Sequence, residues 1–171
     1  MRLPDPLLPG SNILNVIIET PKNCGNKYSY EKKSGLFKLS KVLPQGLVFP
    51  AHFGFAPHTR AEDGDPLDII ILMDEISFPG VLIECRPIGV IEAEQTEKNG
   101  TKVRNDRIIA VACESQRYSA IKSLKHLDKS ILEEITKFFI TYNAMTGKKF
   151  SPLSFGGRSK AIKLVKKQII K

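Results

Sequence analysis

Three carboxylates fall within six residues in the segment E-D-G-D-P-L-D, Glu62 to Asp68. Asp63, Asp65 and Asp68 offer hard oxygen donors, and like charges packed this closely repel unless a cation neutralises them. Gly64 permits a tight turn between them and Pro66 stiffens it. The apolar run Leu67 to Met73 follows at once and reads as a fully buried strand. Asp68 is therefore expected at a strand start, its charge held at the mouth of the fold. Oxygen ligands of this kind suit Mg²⁺. Taken alone, the segment also suits an Asx-rich surface turn. An EF-hand is excluded by the ligand spacing and the missing terminal Glu.

The elements that must position this cluster are mostly short strands. Ile13 to Glu19 is β-branched and apolar, and Pro21 closes it. Ser34-Gly35 marks a turn, after which Phe37, Leu39 and Lys41 alternate with polar neighbours as in a half-buried strand. Leu47 to Phe55 is aromatic but broken by Pro50 and Gly54, so a bent strand is expected. Val81 to Ile91 carries Arg86-Pro87 and Gly89, which predicts a bulge. Asn99-Gly100 is the strongest hairpin signal. With that pair at the turn centre, Glu94 faces Asn105 and Glu92 faces Arg107. These four would then share one side of the ribbon, with Gln95 and Asp106 on the other.

The last third reads as helical. Ser130-x-x-Glu133 is a capping box, and Ile131, Ile135, Phe138, Phe139 and Tyr142 follow at helical spacing until Gly147. A second helix is expected from Ser159 to about Ile169. Strands followed by two helices predict one α+β domain over residues 1–171, a small barrel with helices against it. Residues 1–11, with three prolines, read as an irregular arm.

The chain of 171 residues has a net charge of +8, while its acids concentrate between Glu62 and Glu97. A basic protein with an acidic middle fits a cation-binding pocket better than a nucleic-acid surface, which would need exposed aromatics interleaved with basic residues. No stretch approaches the roughly 18 apolar residues of a membrane span. Cys24, Cys85 and Cys113 lack CxxC spacing, and an odd count favours a reducing cytoplasm. His52, His58 and His126 read as packing or hydrogen-bonding residues.

At this point the sequence resembles the soluble (family I) inorganic pyrophosphatases. The match is D-G-D-P-L-D, with F-P-A-H-F-G-F-A-P-H-T before it and P-G-V-L-I-E-C-R-P-I-G-V after it. I-I-E-T-P, N-K-Y, K-S-G-L-F and K-F-F-I-T-Y also match, in order, from about Asn12 to Tyr142. The resemblance implies a five-stranded OB-like β-barrel with an extra β-hairpin and two C-terminal α-helices. It implies Mg²⁺-dependent hydrolysis of pyrophosphate to two orthophosphates, with ions that acidify the attacking water. Carried over, Asp63, Asp68 and Glu19 are metal ligands and Asp65 is the general base. Lys27, Lys41, Arg107 and Tyr142 fall at phosphate-binding positions. A homo-oligomer of the hexameric bacterial kind is implied as well.

The departures from the family pattern fall around that site. Ser29 stands at a metal-binding Glu position, with Glu31 two residues on. Lys41 replaces an Arg and Arg107 a Lys. Phe49 and Phe53 replace tyrosines, and Asn143 replaces a Lys. Asn105 and Gln95 stand where metal-binding aspartates are expected, so Asn105 enters the ligand set as an amide. In the hairpin register above, Glu94 would restore a missing carboxylate. The altered set leaves open another phosphate anhydride or ester as substrate, or a non-catalytic module that binds a phosphate-bearing ligand.

Overall fold

A computed structural model describes residues 3–170. In chain order the elements are β1 (Leu14–Thr20), β2 (Asn26–Glu31), β3 (Leu36–Val42), β4 (His52–Phe55), β5 (Asp68–Leu72) and β6 (Leu82–Thr96). β7 (Lys102–Arg104), β8 (Arg107–Ala112), α1 (Lys129–Met145), β9 (Lys149–Gly157) and α2 (Arg158–Gln168) follow. Strands β1, β4, β5, β8 and β6 pair in that order, and β1 pairs back onto β6, which closes a five-stranded ring. β6 outruns the ring and also carries β7 and β9. The closure needs a close approach where β1 meets β4. A Cβ on Gly54 would lie 2.1 Å from the Ile17 carbonyl oxygen, so only glycine fits there.

The unbroken apolar run of β5 has a direct cause. Ile70 and Leu72 pack with α1 through Phe138 and Phe139. Ile69 and Ile71 pack with Ala161 and Val165 of α2. A strand covered on both faces needs no polar alternation. Among the described residues, no helix is long and apolar enough to cross a membrane.

Several expectations change. Phe37 to Lys41 do form a strand, but β3 pairs only with β2 and is almost wholly exposed. This hairpin is a separate two-stranded sheet that touches the barrel through β2, where Tyr28 and Tyr30 bond Thr20 and Glu19 of β1. Of Leu47 to Phe55 only the last four residues are strand. Helix α1 is capped by Asp128, whose carboxylate accepts the Ser130 N–H at 2.8 Å, so Ser130 lies inside the helix. β9 went unread because Pro152 and Gly156-Gly157 look like breakers. Its pairing with β6 is irregular between Glu92 and Ala93, beside Pro152, where a proline costs little.

The hairpin register is also corrected. The Glu97 N–H donates to Thr101 O at 2.8 Å and the Gly100 N–H to Glu97 O at 2.9 Å, with φ +84° at Gly100. The turn therefore holds three residues, 98–100, with glycine in the left-handed position. Glu94 pairs with Arg104 and Thr96 with Lys102, one place from the expected register. One slip exchanges faces. Glu92, Glu94, Arg104 and Asp106 share one side, and Gln95, Asn105 and Arg107 the other.

Candidate active site

The acidic turn is held by its own backbone. Ala61 N–H donates to Asp65 O at 2.7 Å and Gly64 N–H to Ala61 O at 3.0 Å. Gly64 has φ +90°, a conformation that excludes most side chains. The Asp65 N–H donates to Asp63 Oδ1 at 3.1 Å. Below the turn the buried Thr59 hydroxyl accepts the Leu67 N–H at 2.9 Å and donates to Ala56 O at 2.6 Å. Asp68 opens β5, as its position before the apolar run implied. Glu19 approaches from β1, its Oε1 accepting the Tyr30 N–H at 2.7 Å.

These acids meet basic side chains across one cavity of about 430 Å³. Its lining includes Glu19, Asp65, Asp68, Lys27, Lys32 and Phe53, while Asp63 is not part of it. Burial pushes Glu19 up to about 7, against the Tyr30 N–H, with the Asp68 and Asp65 charges adding repulsion. Burial also raises Asp68, although Arg107 and Lys27 oppose the shift. Desolvation raises Asp63 too, reinforced by Asp68 and Asp65.

Mutual repulsion of this kind is relieved by a cation. Among the described residues no three acidic, His or Cys side chains converge tightly enough to cage one. Mg²⁺ does not require such a cage. It keeps several waters and is held by one or two carboxylates together with substrate phosphates. The residues present fit that ion.

Of the phosphate-binding candidates, Lys27 lines the cavity with the acids, and Lys41 and Tyr142 lie next to Lys27. Lys27 and Lys41 are direct partners across β2 and β3. Lys27 Nζ sits 5.5 Å from the Phe53 ring centre and 5.6 Å from that of Tyr142, and Lys41 Nζ 5.4 Å from that of Tyr142. The Tyr142 hydroxyl is buried without a partner among the described residues. Arg107 is placed differently from the other basic candidates. It is only 4% exposed, and its guanidinium lies over the Phe139 ring at 4.2 Å and the Phe150 ring at 4.6 Å. It reaches Asp68 Oδ2 at 3.4 Å and donates to Asn105 Oδ1 at 2.9 Å. Its charge stands behind the acid rather than open to the cavity.

Two other candidates do not line the cavity. Glu94 is a correction: it pairs with Lys102 at 3.0 Å on the face away from Asn105 and Arg107, so it restores no carboxylate to the cluster. Asn105 stands beside Arg107 with its amide oxygen already accepting from the guanidinium. Glu31 lines the cavity, though it bonds Ser34 at 2.8 Å and lies 3.8 Å from Lys38. Phe49 and Phe53 pack in the core against Phe138 and Phe139. His52 is buried, its Nδ1 accepting the Lys22 N–H. Sequence reading missed Tyr30, whose ring stacks on Phe55 at 5.7 Å, and the Lys148–Glu97 ion pair at 2.7 Å. No spacing signal marks either.

A second cleft, of about 530 Å³, is lined by Asp74, Glu75, Glu84 and Glu114 but by no Lys or Arg. Asp74 is already bonded to the Ser115 hydroxyl and to the Gln116 and Arg117 N–H groups. It offers nothing to hold a phosphate.

Comparison with known proteins agrees with the geometry. The family model described as inorganic pyrophosphatase matches residues 16–171. The inorganic pyrophosphatase of Synechocystis is 37% identical over 143 residues, covering 84% of this chain and 82% of its own. That of Thermus thermophilus is 39% identical over 137 residues, covering 80% and 75%. The crystal structure of inorganic pyrophosphatase from Thermus thermophilus superposes with TM-score 0.88 at 34% identity, covering 98% of this chain and 94% of that one. With the ring of five strands, the acidic turn at the head of β5 and the match along nearly the whole length all in agreement, this chain belongs to the soluble (family I) inorganic pyrophosphatases.

Proposed function

We propose that the protein hydrolyses inorganic pyrophosphate to two orthophosphates with Mg²⁺. The observation that carries this reading is the cavity that Glu19, Asp65 and Asp68 line together with Lys27. Asp63, Asp68 and Glu19 would hold the metal. Bound Mg²⁺ supplies charge neutralisation at the phosphate oxygens and a more acidic attacking water. Asp65, exposed at the cavity mouth, takes the proton as general base. Lys27 and Lys41 neutralise the phosphate, and the unpartnered Tyr142 O–H donates to a phosphate oxygen. Arg107 contributes charge from behind Asp68.

Orthophosphate release from pyrophosphate with Mg²⁺, lost in Asp65→Asn, tests the reading. The uncharged amides of Asn105 and Gln95 beside Arg107 favour one alternative, a different phosphate anhydride. Tripolyphosphate and nucleoside triphosphates turned over in place of pyrophosphate would establish it, and binding without any turnover would make the protein a phosphate-binding module. Free Cys24, Cys85 and Cys113 accord with a cytoplasmic location. A homo-oligomer, of the hexameric kind, is part of the same proposal. Exposed Ile140, Leu153 and Phe155 on α1 and β9 offer an apolar face for it, and sedimentation velocity measures it.

A further inference from the structure

Behind the acidic cluster a chain of hydrogen bonds runs from Arg107 to Glu97. Arg107 donates to Asn105 Oδ1 at 2.9 Å, and Asn105 Nδ2 donates to Gln95 Oε1 at 3.3 Å. Gln95 Nε2 donates to Glu97 Oε1 at 2.5 Å, and Lys148 closes the far end on Glu97 Oε2 at 2.7 Å. At the near end Arg107 meets Asp68. Gln95, Asn105 and Arg107 are each 7% exposed or less, so a group left unpaired there would be costly.

The corrected register builds this chain. It puts Gln95 diagonally across from Asn105 on one face, and the β5–β8 pairing sets Asp68 beside Arg107. Amides suit the middle, because each link must accept on one side and donate on the other. A carboxylate at 95 or 105 could not donate onward. At 105 it would also compete with Asp68 for the guanidinium. Flipping either amide would set donor against donor, so the network fixes both orientations.

We infer that Gln95 and Asn105 are positioning residues, an amide relay anchored on Glu97 and Lys148 that aims Arg107 at Asp68, and not metal ligands. This rests on the pyrophosphatase reading for its catalytic consequence but not for its structural one.

The test uses the whole chain in two arms. In metal-free ¹⁵N-labelled protein, the Arg107 guanidinium resonance, identified by its loss in Arg107→Lys, should exchange slowly with water. Gln95→Glu keeps the size but loses the donor, and Gln95→Leu loses both polar atoms. Each should speed that exchange about tenfold while the β5 amide resonances stay in place. In the second arm, Gln95→Glu should lower kcat on pyrophosphate about tenfold with KM and half-saturating Mg²⁺ within twofold, and should have no further effect in an Arg107→Lys background. Unchanged guanidinium exchange overturns the relay. So does a Gln95→Glu protein that needs less Mg²⁺ than the parent, because residue 95 would then be reaching the metal. A parent that never cleaves pyrophosphate sinks the functional reading alone, since the metal-free arm still decides the relay.

Discussion

Two carboxylates on the same barrel meet opposite fates. Glu19, at the acidic mouth, is raised to a pKa of about 7 chiefly by burial, with one backbone N–H and Lys27 set against the Asp68 and Asp65 charges. Glu92, on the outer side of β6, accepts from Arg104 at 2.6 Å, from the Ser154 hydroxyl and from Lys160, and its pKa falls to about 2, chiefly through Lys160 and Ser154. Asp106 joins the same network by accepting from Arg104 at 2.6 Å. One site is saturated with cations from its own chain, and the other is left short of them. That shortage is the structural sign of a site waiting for charge from outside, whereas the satisfied network ties α2 and β9 to β6.

The sharpest way to break this contrast is to neutralise an acid on each side. Asp65→Asn should lower kcat on pyrophosphate by about 10²–10⁴ while leaving the melting temperature unchanged. Asp65→Asn protein with full activity would end the contrast.

The pH dependence of stability should differ in sign between the sites. The folded pKa of Glu19 lies above its unfolded value of 4.5, so folding takes up a proton. Its favourable contribution is complete below about 4.5 and is lost as pH rises to about 7, up to about 3 kcal/mol in metal-free protein. Glu92 runs the other way. Its contribution is present above 4.5 and is lost as pH falls toward 2. Urea titrations of Glu19→Gln and Glu92→Gln across that range should each flatten one slope and leave the other.

Smaller effects refine the picture. Glu92→Gln should cost about 2 kcal/mol, seen as a fall of about 4–8 °C in Tm, with kcat within about twofold of the parent. Glu94→Ala, which removes only a surface pair with Lys102, should change stability by less than about 1 kcal/mol and leave Mg²⁺ dependence intact. A raised Mg²⁺ requirement in Glu94→Ala would put that carboxylate back among the acids.

What could be read from the sequence depended on how local its cause was. Asp68 at a strand start, the bulge near Pro87 and the two helices followed from neighbouring residues and were legible. Lys27 and Lys41 were placed by resemblance, and the hairpin register that sets them side by side lay outside any spacing rule. The ribbon failed on one turn residue. Asn99-Gly100 suits a two-residue loop, but the chain forms a three-residue loop, and that exchange of faces moved Glu94 out and Gln95 in. β9 was hidden because its proline is tolerated only opposite an irregularity in another strand. The Asp128 cap went unread because the Ser130-x-x-Glu133 box sits two residues later.

Strand β6 has a consequence in time. Leu14 at its near end of the pairing waits for Cys85, and Thr96 waits for Lys149, so this one segment must hold its shape for partners far up and down the chain. Pairings between such distant residues slow folding toward milliseconds or longer. On a ribosome the ring can close once β8 has emerged, yet the edge of β6 that β9 will cover stays open until β9 arrives. Nascent copies crowded on one message would be at greatest risk of joining edge to edge during that interval.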